Sequence, residues 1–446
     1  DAFNGCWYSV FGTAGSGPGT NTVSLRTLSA ALPTGVIANS SPSGLGGVRL
    51  VTGFGAGAWD NYIGNADAFR IGVGANDTLY NFDPTQTTPV AGALVISEFR
   101  TRGPGGTADE YVEIYNNTNS AHVVSPPDGS GGYAAAASDG AARCVIPFGT
   151  TIPARGHFLC AGTGYTLGAY AALDAAIATD IGDSQGLALY STSNPANFTA
   201  GTRLDAAGFS GSAAGYSEGT PLSPAGGITD NSEHAFVRKQ GTLTGGLPQD
   251  TNNNEGDFAF VATDGAAHSG RAAVLGAPGP QNTLSPISRN LTGTLIAPTL
   301  ASTAAPNRER NLTAGPCATN GTLTLRRTIT NNTGANVTRL RFRVVDVTTV
   351  NSPGSANTAQ AIVRVLDSPD EPALSVPGRG TVQVHGLTIE TPPAQPGCGG
   401  LNTSLTDDEV TVGTPIPSGG SVDVIFRLGI ERGGSYRFYV NIEVLP

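Results

Sequence analysis

Leu94-Val95-Ile96-Ser97-Glu98-Phe99-Arg100 and Glu110-Tyr111-Val112-Glu113-Ile114-Tyr115-Asn116-Asn117, separated by a turn at Gly103-Pro104-Gly105-Gly106, decide how this chain folds. Each is a short run of aliphatic, β-branched and aromatic residues bounded by turn formers, the pattern of two strands joined by a reversal. In the first run Leu94, Ile96 and Glu98 alternate with Val95, Ser97 and Phe99, so period two predicts opposite faces for the two sets. In the second, Glu110 and Glu113 have opposite parity and point apart, unlike an acid–base pair set across a cleft.

The rest of the chain repeats this texture. Its 446 residues exceed one core and imply several domains. Gly (62) and Pro (30) together make about a fifth of it, which favours turns over helices, while recurrent Val, Ile, Leu and Phe runs give it cores to bury. The expectation is an all-β protein of tandem β-sandwich domains. Residues 1–88 read as a small jelly-roll-like unit with strands near Trp7–Phe11, Thr22–Leu25, Gly47–Val51, Ala68–Gly72 and Thr78–Phe82, and Trp59–Asp67 loosely resembles the closing strands of concanavalin-like jelly rolls. Residues 90–283 form a second domain, whose Ala-rich Leu167–Ile181 is the one helix candidate. A linker rich in Pro, Thr, Ser and Ala is expected over 284–316. Residues 317–446 carry about seven strands, enough for an Ig-like sandwich. There, Leu340-Arg341-Phe342-Arg343-Val344 alternates so that the arginines take a wet face, and Tyr436, Phe438, Val440, Ile442 and Val444 share an apolar one.

The two opening runs resemble the signature of the lamin tail domain, an Ig-like β-sandwich also widespread in secreted bacterial proteins. Further matching segments follow in order: Gly186–Tyr190, Leu204–Phe209, Glu218–Leu222, Asp250–Phe258 and Gly276–Asn282. The resemblance spans residues 90–283 and implies an extracellular or cell-surface setting. Ig-like modules similar to 317–446 end bacterial surface proteins that carry such domains.

Five cysteines fit an oxidising compartment. Cys144 and Cys160 flank two candidate strands joined by a turn and can face each other. Cys317 and Cys398 lie near the two ends of the last domain's strand region. Cys6 is left over, either buried and inert or bridged to another molecule. The start at Asp1-Ala2-Phe3, with no Met anywhere, is read as a mature chain after signal-peptide removal. Net charge is −10, and no basic cluster exceeds Arg326-Arg327, which excludes nucleic acid as a partner. Without an apolar run of about 18 residues, no membrane insertion is expected.

Chemistry-bearing motifs are few. Gly215-Tyr216-Ser217-Glu218-Gly219 matches a nucleophile elbow, but no βαβ pattern surrounds it, so a Gly-rich loop is the better reading. His122, His157, His234, His268 and His385 are scattered singly. Asp407-Asp408-Glu409 reads as a solvated turn. Asp250, Asn252, Asn254 and Asp257 place oxygen ligands at alternating positions, as calcium loops do, yet lack the glycine and distal Glu of an EF-hand; Asn/Asp turns also arise for backbone reasons alone. No other cofactor is implied. Sequons stand at Asn39, Asn76, Asn116, Asn197, Asn290, Asn311, Asn320, Asn331, Asn336 and Asn402 as candidate glycan carriers.

No catalytic constellation emerges, and the expected role is non-enzymatic: a structural subunit of an extracellular bacterial filament, sheath or surface layer, with other copies of itself as partners. Polymerisation by β-strand addition would use Phe3–Phe11 or 284–312 as donor. The competing expectation is a cell-surface adhesin or polysaccharide-binding accessory protein, with surface glycans as partners.

Overall fold

The computed structural model describes residues 90–240, 246–350 and 359–445, together with the backbone of four strands nearer the start. Those four pair as two antiparallel ribbons, Tyr8–Phe11 with Ser24–Thr27 and Ala68–Val73 with Asn76–Asn81. Cys6, Asn39, the Gly47–Val51 strand, the Trp59–Asp67 segment and the sandwich expected over 1–88 lie outside the described residues, as does the side chain of Asn76. The chain divides into two units, 1–85 and 86–446. It is nearly all β, with 43% strand and 2% helix.

Unit 86–446 contains two β-sandwiches. In the first, a seven-stranded sheet runs in the order Ala175–Ala176, His157–Ala161, Tyr111–Asn116, Leu94–Arg100, His234–Arg238, Phe258–Ala262, Val274–Leu275. A four-stranded sheet, Arg203–Ala207, Leu187–Tyr190, Gly132–Ala137, Ala142–Pro147, packs across from it. Leu94, Ile96, Val112 and Ile114 meet Tyr133, Ile146, Leu187 and Leu189 between the layers. Phe99 stacks on Phe236 at 5.2 Å and meets Phe258 edge-on at 5.6 Å, so aromatic bulk fills one end of this core.

Simple alternation fails at one place in the opening strand. The pairing of Leu94–Arg100 with Tyr111–Asn116 shifts register between Ile96 and Glu98. The extra residue turns Phe99 to the core beside Leu94 and Ile96 and leaves Ser97 and Glu98 together on the opposite face. Both faces of these strands are buried. The outer face is covered partly by Leu167 and Ala171 and partly by the second sandwich. The Leu167–Ile181 stretch is therefore not a helix: it runs as turns and the short strand Ala175–Ala176, its small apolar side chains lying on Leu159, Ala161 and Tyr111. Tertiary burial outweighs the helix propensity of its alanines, because a short helix on its own is only marginally stable.

The second sandwich sets the sheet Ile287–Ser288, Phe438–Leu445, Arg339–Val347, Ser404–Asp407, Thr388–Ile389 against Leu291–Leu295, Thr322–Asn331, Ser421–Arg432, Ile362–Leu366. Phe342 and Phe426 meet edge-on at 4.9 Å in its core. The expected linker over 284–316 is not one. Ile287–Ser288 pairs with Phe438–Leu445, while Leu291–Leu295 and Arg308–Asn311 both pair with Thr322–Asn331. Short polar strands carry little periodicity, because most of their side chains lie on an edge and stay exposed. As a strand donor the 284–312 segment is spent within its own chain.

The two sandwiches share a corner. Asn116 ends one strand and Asn331 another, each followed by Asn-Thr, and both amides are fully buried. Asn116 Nδ2 donates to the carbonyls of Ser120 and Ile152, and Asn331 Nδ2 to those of Ala335 and Ile416. In each case the Oδ1 accepts from the backbone and hydroxyl of the Thr two residues on. Ile152-Pro153 and Ile416-Pro417 lie across the corner in equivalent positions, and Gly156 and Gly420 each donate to the preceding proline carbonyl. A side chain that satisfies four backbone or hydroxyl groups in a buried turn fixes strand exit in both sandwiches.

Candidate functional site

The described residues concentrate buried charge where the two sandwiches meet. From the first, the register shift presents Ser97 and Glu98, and the neighbouring strand adds Glu113, directly opposite Glu98 in the ladder. From the second come Arg341 and Arg343 on one strand and Glu443 on its neighbour. The arginines expected on a wet face are 1% and 2% exposed, because the first sandwich covers that face. Gln281, in the segment between the sandwiches, and Asn402 complete the cluster.

Each charge has partners. Arg341 binds Glu443 with Nη2–Oε2 at 2.6 Å, and Arg343 reaches the other oxygen with Nε–Oε1 at 3.1 Å. Arg343 also donates to Asn402 Oδ1 at 2.9 Å and to the Tyr170 hydroxyl at 3.2 Å. Glu98 accepts from Tyr111 Oη, from Gly279 N at 2.8 Å and from Asn402 Nδ2 at 3.0 Å. Glu113 accepts from Ser97 Oγ and Gln281 N. Residues from both sandwiches and the connecting segment thus satisfy one network. Ionised buried groups survive only when paired this densely.

Burial disfavours a second charge on the paired carboxyls. Burial pushes Glu98 above the usual carboxylate range despite Arg343 nearby. Burial, and then Glu98 itself, pushes Glu113 up to about 8. Burial works against the Arg343 charge, but Tyr170, Glu443 and the two strand carboxyls outweigh it and hold the guanidinium charged. Side by side in the ladder, Glu98 and Glu113 thus favour holding a proton between them, while Glu443 faces the two guanidinium groups. Burial, with Arg343 and Arg341 beside it, pushes His157 well below its usual range. Its 3.8 Å approach to Glu113 is therefore a contact of a neutral ring, not an ion pair. The cavity at this junction measures about 60 Å³. Most of the side chains lining it already partner one another across or beside the junction. Its chemistry is that of a joint.

Cys144 and Cys160 are bonded, as are Cys317 and Cys398. The first bond crosses between the two sheets of the first sandwich, joining Ala142–Pro147 to His157–Ala161. Three sequons are closed: Asn116, Asn331 and Asn402 are at most 4% exposed, with their amides engaged. Asn290, Asn311, Asn320 and Asn336 are exposed, and Asn197 is half-buried.

The loop over Asp250, Asn252, Asn254 and Asp257 does not converge on a cation. Asp257 accepts from Thr251 N and Thr251 Oγ1, from Asn253 N and from Gln249 Nε2, which uses its carboxylate as a backbone cap. Asn254 is turned the other way, accepting from the amides of Gly208 and Glu218. Asn252 is exposed with φ +54°. Gly215–Gly219 is a loop held by turns. Asp407 is not solvated: it is 1% exposed and binds His385 Nδ1 at 3.0 Å, while Glu409 binds the Nε2 at 3.0 Å. The Asp407 hydrogen bond, with Glu409 nearby, raises the His385 pKa.

Sequence reasoning missed the junction because its members lie far apart along the chain. The available signal was charge placed inside otherwise apolar strands, at Glu98, Glu113 and Glu443. Comparison of the chain with protein-family models, curated proteins and solved structures finds no match.

Proposed function

We propose that the chain is a structural subunit of an extracellular assembly in which residues 86–446 act as one stiff block. The observation that carries this reading is the junction itself. A hinge between the two sandwiches would break the Asn402–Glu98 hydrogen bond and the Tyr170 contacts of Arg341 and Arg343, and would remove Arg343 from beside buried Glu98 and Glu113, at a cost of about 1 kcal/mol for each bond lost. Tandem modules usually keep small polar interfaces and move relative to one another. This pair shares a charge network, a parallel bridge between Gly276 and Leu401, and a hydrogen bond from Tyr170 to Ser404. The two disulfides fit an oxidising compartment, and the lamin-tail resemblance of 90–283 points the same way. No helix among the described residues is long and apolar enough to cross a membrane. Both donor segments for strand addition pair within their own chain, Phe3–Phe11 doing so over Tyr8–Phe11 with Ser24–Thr27.

An adhesin or polysaccharide-binding role has one observation in its favour. An open groove of about 1160 Å³ carries Arg308, Arg310 and Arg427 beside Thr322 and Thr324, its buried Arg326 being already paired with Glu309 and Glu371, which leaves three arginines to meet an acidic glycan. Negative-stain microscopy and light scattering of the purified chain over a range of concentrations separate the two. Ordered polymers support the structural reading. A chain that stays monomeric at high concentration and binds anionic polysaccharide overturns it.

A further inference from the structure

Away from the junction, three carboxylates converge in the first sandwich without enough positive charge to balance them. Asp205 lies on strand Arg203–Ala207, Glu218 on the Gly-rich loop that follows, and Asp250 on the loop after His234–Arg238. One oxygen from each lies within 4.8 Å of the others. Asp205 is fixed by the backbone: Oδ2 accepts from Ile96 N at 2.6 Å and Oδ1 from Ala206 N at 2.9 Å. Glu218 is held through its main chain, its N–H donating to Asn254 Oδ1 at 3.0 Å and its carbonyl accepting from Asn254 N at 2.9 Å.

The Glu218 side chain points to a missing partner. The residue is 8% exposed, and its Oε2 is buried with no hydrogen bond. Its Oε1 stands 3.6 Å from Arg203 Nη2, beyond hydrogen-bonding reach. Arg238 serves Asp205 at 2.5 Å and lies 3.5 Å from Asp250 and 3.7 Å from Asp257. Four carboxylates thus face two guanidinium groups. Burial, then Asp205 and Asp250, pushes Glu218 up to about 8. A buried carboxylate oxygen without a donor carries its full desolvation cost unless a cation meets it.

We propose that Asp205, Glu218 and Asp250 form a calcium site, with Asn254 as a positioning residue. The ligands are all hard oxygens, which excludes the sulfur and imidazole sets that favour zinc. Two oxygens on one calcium can stand no further apart than about twice the 2.3–2.6 Å ligand distance, and all three carboxylates meet that limit. Asp250 is only half-buried, so water reaches the remaining positions. Calcium tolerates such an irregular shell, whereas magnesium demands a near-regular octahedron. The ion would pin both loops to the strand, stiffening one end of the sandwich.

The test is calorimetric titration of the full chain with calcium chloride, beside a magnesium titration and a thermal melt with and without chelator. Saturable one-site binding is expected with Kd of about 10⁻⁴–10⁻³ M, the range of extracellular modules. Glu218→Gln and Asp250→Asn should each weaken it at least tenfold and abolish the calcium-dependent rise in Tm. Asp250→Asn sits at the exposed rim, so it still reads out if Glu218→Gln folds poorly. Absence of saturable calcium binding in the unmodified chain overturns the proposal. So does a binding curve that both variants leave unchanged.

Discussion

Replacing Arg343 with Met keeps most of the side-chain volume and removes one charge from the centre of the junction. Three groups lose a partner: Glu443 Oε1 at 3.1 Å, Asn402 Oδ1 at 2.9 Å and the Tyr170 hydroxyl at 3.2 Å. Breaking a buried ion pair by removing one side costs about 3–5 kcal/mol. Two features place Arg343→Met at the low end. Arg341 stays on Glu443 Oε2 at 2.6 Å, and the Glu98–Glu113 pair can take up a second proton once Arg343 no longer opposes its burial. The expected loss is therefore about 3 kcal/mol at neutral pH. Urea unfolding followed by far-UV circular dichroism, with calorimetry in parallel, measures it. A joint that couples the sandwiches should also lose cooperativity, so that one transition splits into two. Adding Glu98→Gln removes one uncompensated carboxylate and should restore about 1 kcal/mol, a coupling within reach of a double-mutant cycle. A loss for Arg343→Met below about 1 kcal/mol, within the range of an ordinary substitution, would refute the reasoning.

The two disulfides close loops of different length, with sequence separations of 16 and 81. Chain entropy assigns about 3 kcal/mol to the Cys144–Cys160 bond and about 4.5 kcal/mol to Cys317–Cys398, so Cys398→Ser should lower the unfolding midpoint more than Cys160→Ser. Glu110 and Glu113 are each pushed up to about 8, chiefly by burial, from an ordinary 4.5. Carboxyls that hold protons more tightly when folded stabilise the chain below the unfolded value and lose that contribution as pH rises through the folded one. Tm should accordingly fall between pH 5 and pH 8, and Glu110→Gln should flatten the fall; a Tm that climbs across this window contradicts the assignment. Glycopeptide mass spectrometry of chain made in a glycosylating host should find Asn116, Asn331 and Asn402 bare and any glycans at exposed sites such as Asn290 or Asn336. Asn331→Ala should cost about 2 kcal/mol in a denaturation curve, since it takes one donor from the carbonyls of Ala335 and Ile416 and the shared acceptor from two donors on Thr333.

Local pattern was enough to place the strands around Leu94, Tyr111, Leu340 and Val422, because apolar residues in short runs between turn formers have few other ways to be buried. It was not enough for Leu167–Ile181, whose alanines satisfy helix and coil alike until Leu159 and Tyr111 supply a surface to cover. Nor did it place Leu291–Leu295 and Arg308–Asn311, because exposed edge strands need no apolar alternation. The Asp250–Asp257 loop shows a related limit. Acidic spacing along one segment carries no information about where each carboxylate points, and Asp257 points at its own backbone amides.

By itself the sequence determined the all-β class, the strand pairs on either side of the Gly103–Gly106 turn, and cysteine spacings compatible with both disulfides. These follow from interactions between neighbours in the chain, where propensity and period act directly. Only the tertiary structure decided that the arginines of Leu340–Val344 are buried, that Glu98 faces Glu113, and that Asp205 and Glu218 meet Asp250. Each of those depends on a second surface brought up from far along the chain. A charged side chain on a strand looks the same in sequence whether water or another sandwich covers it, and only long-range packing distinguishes the two.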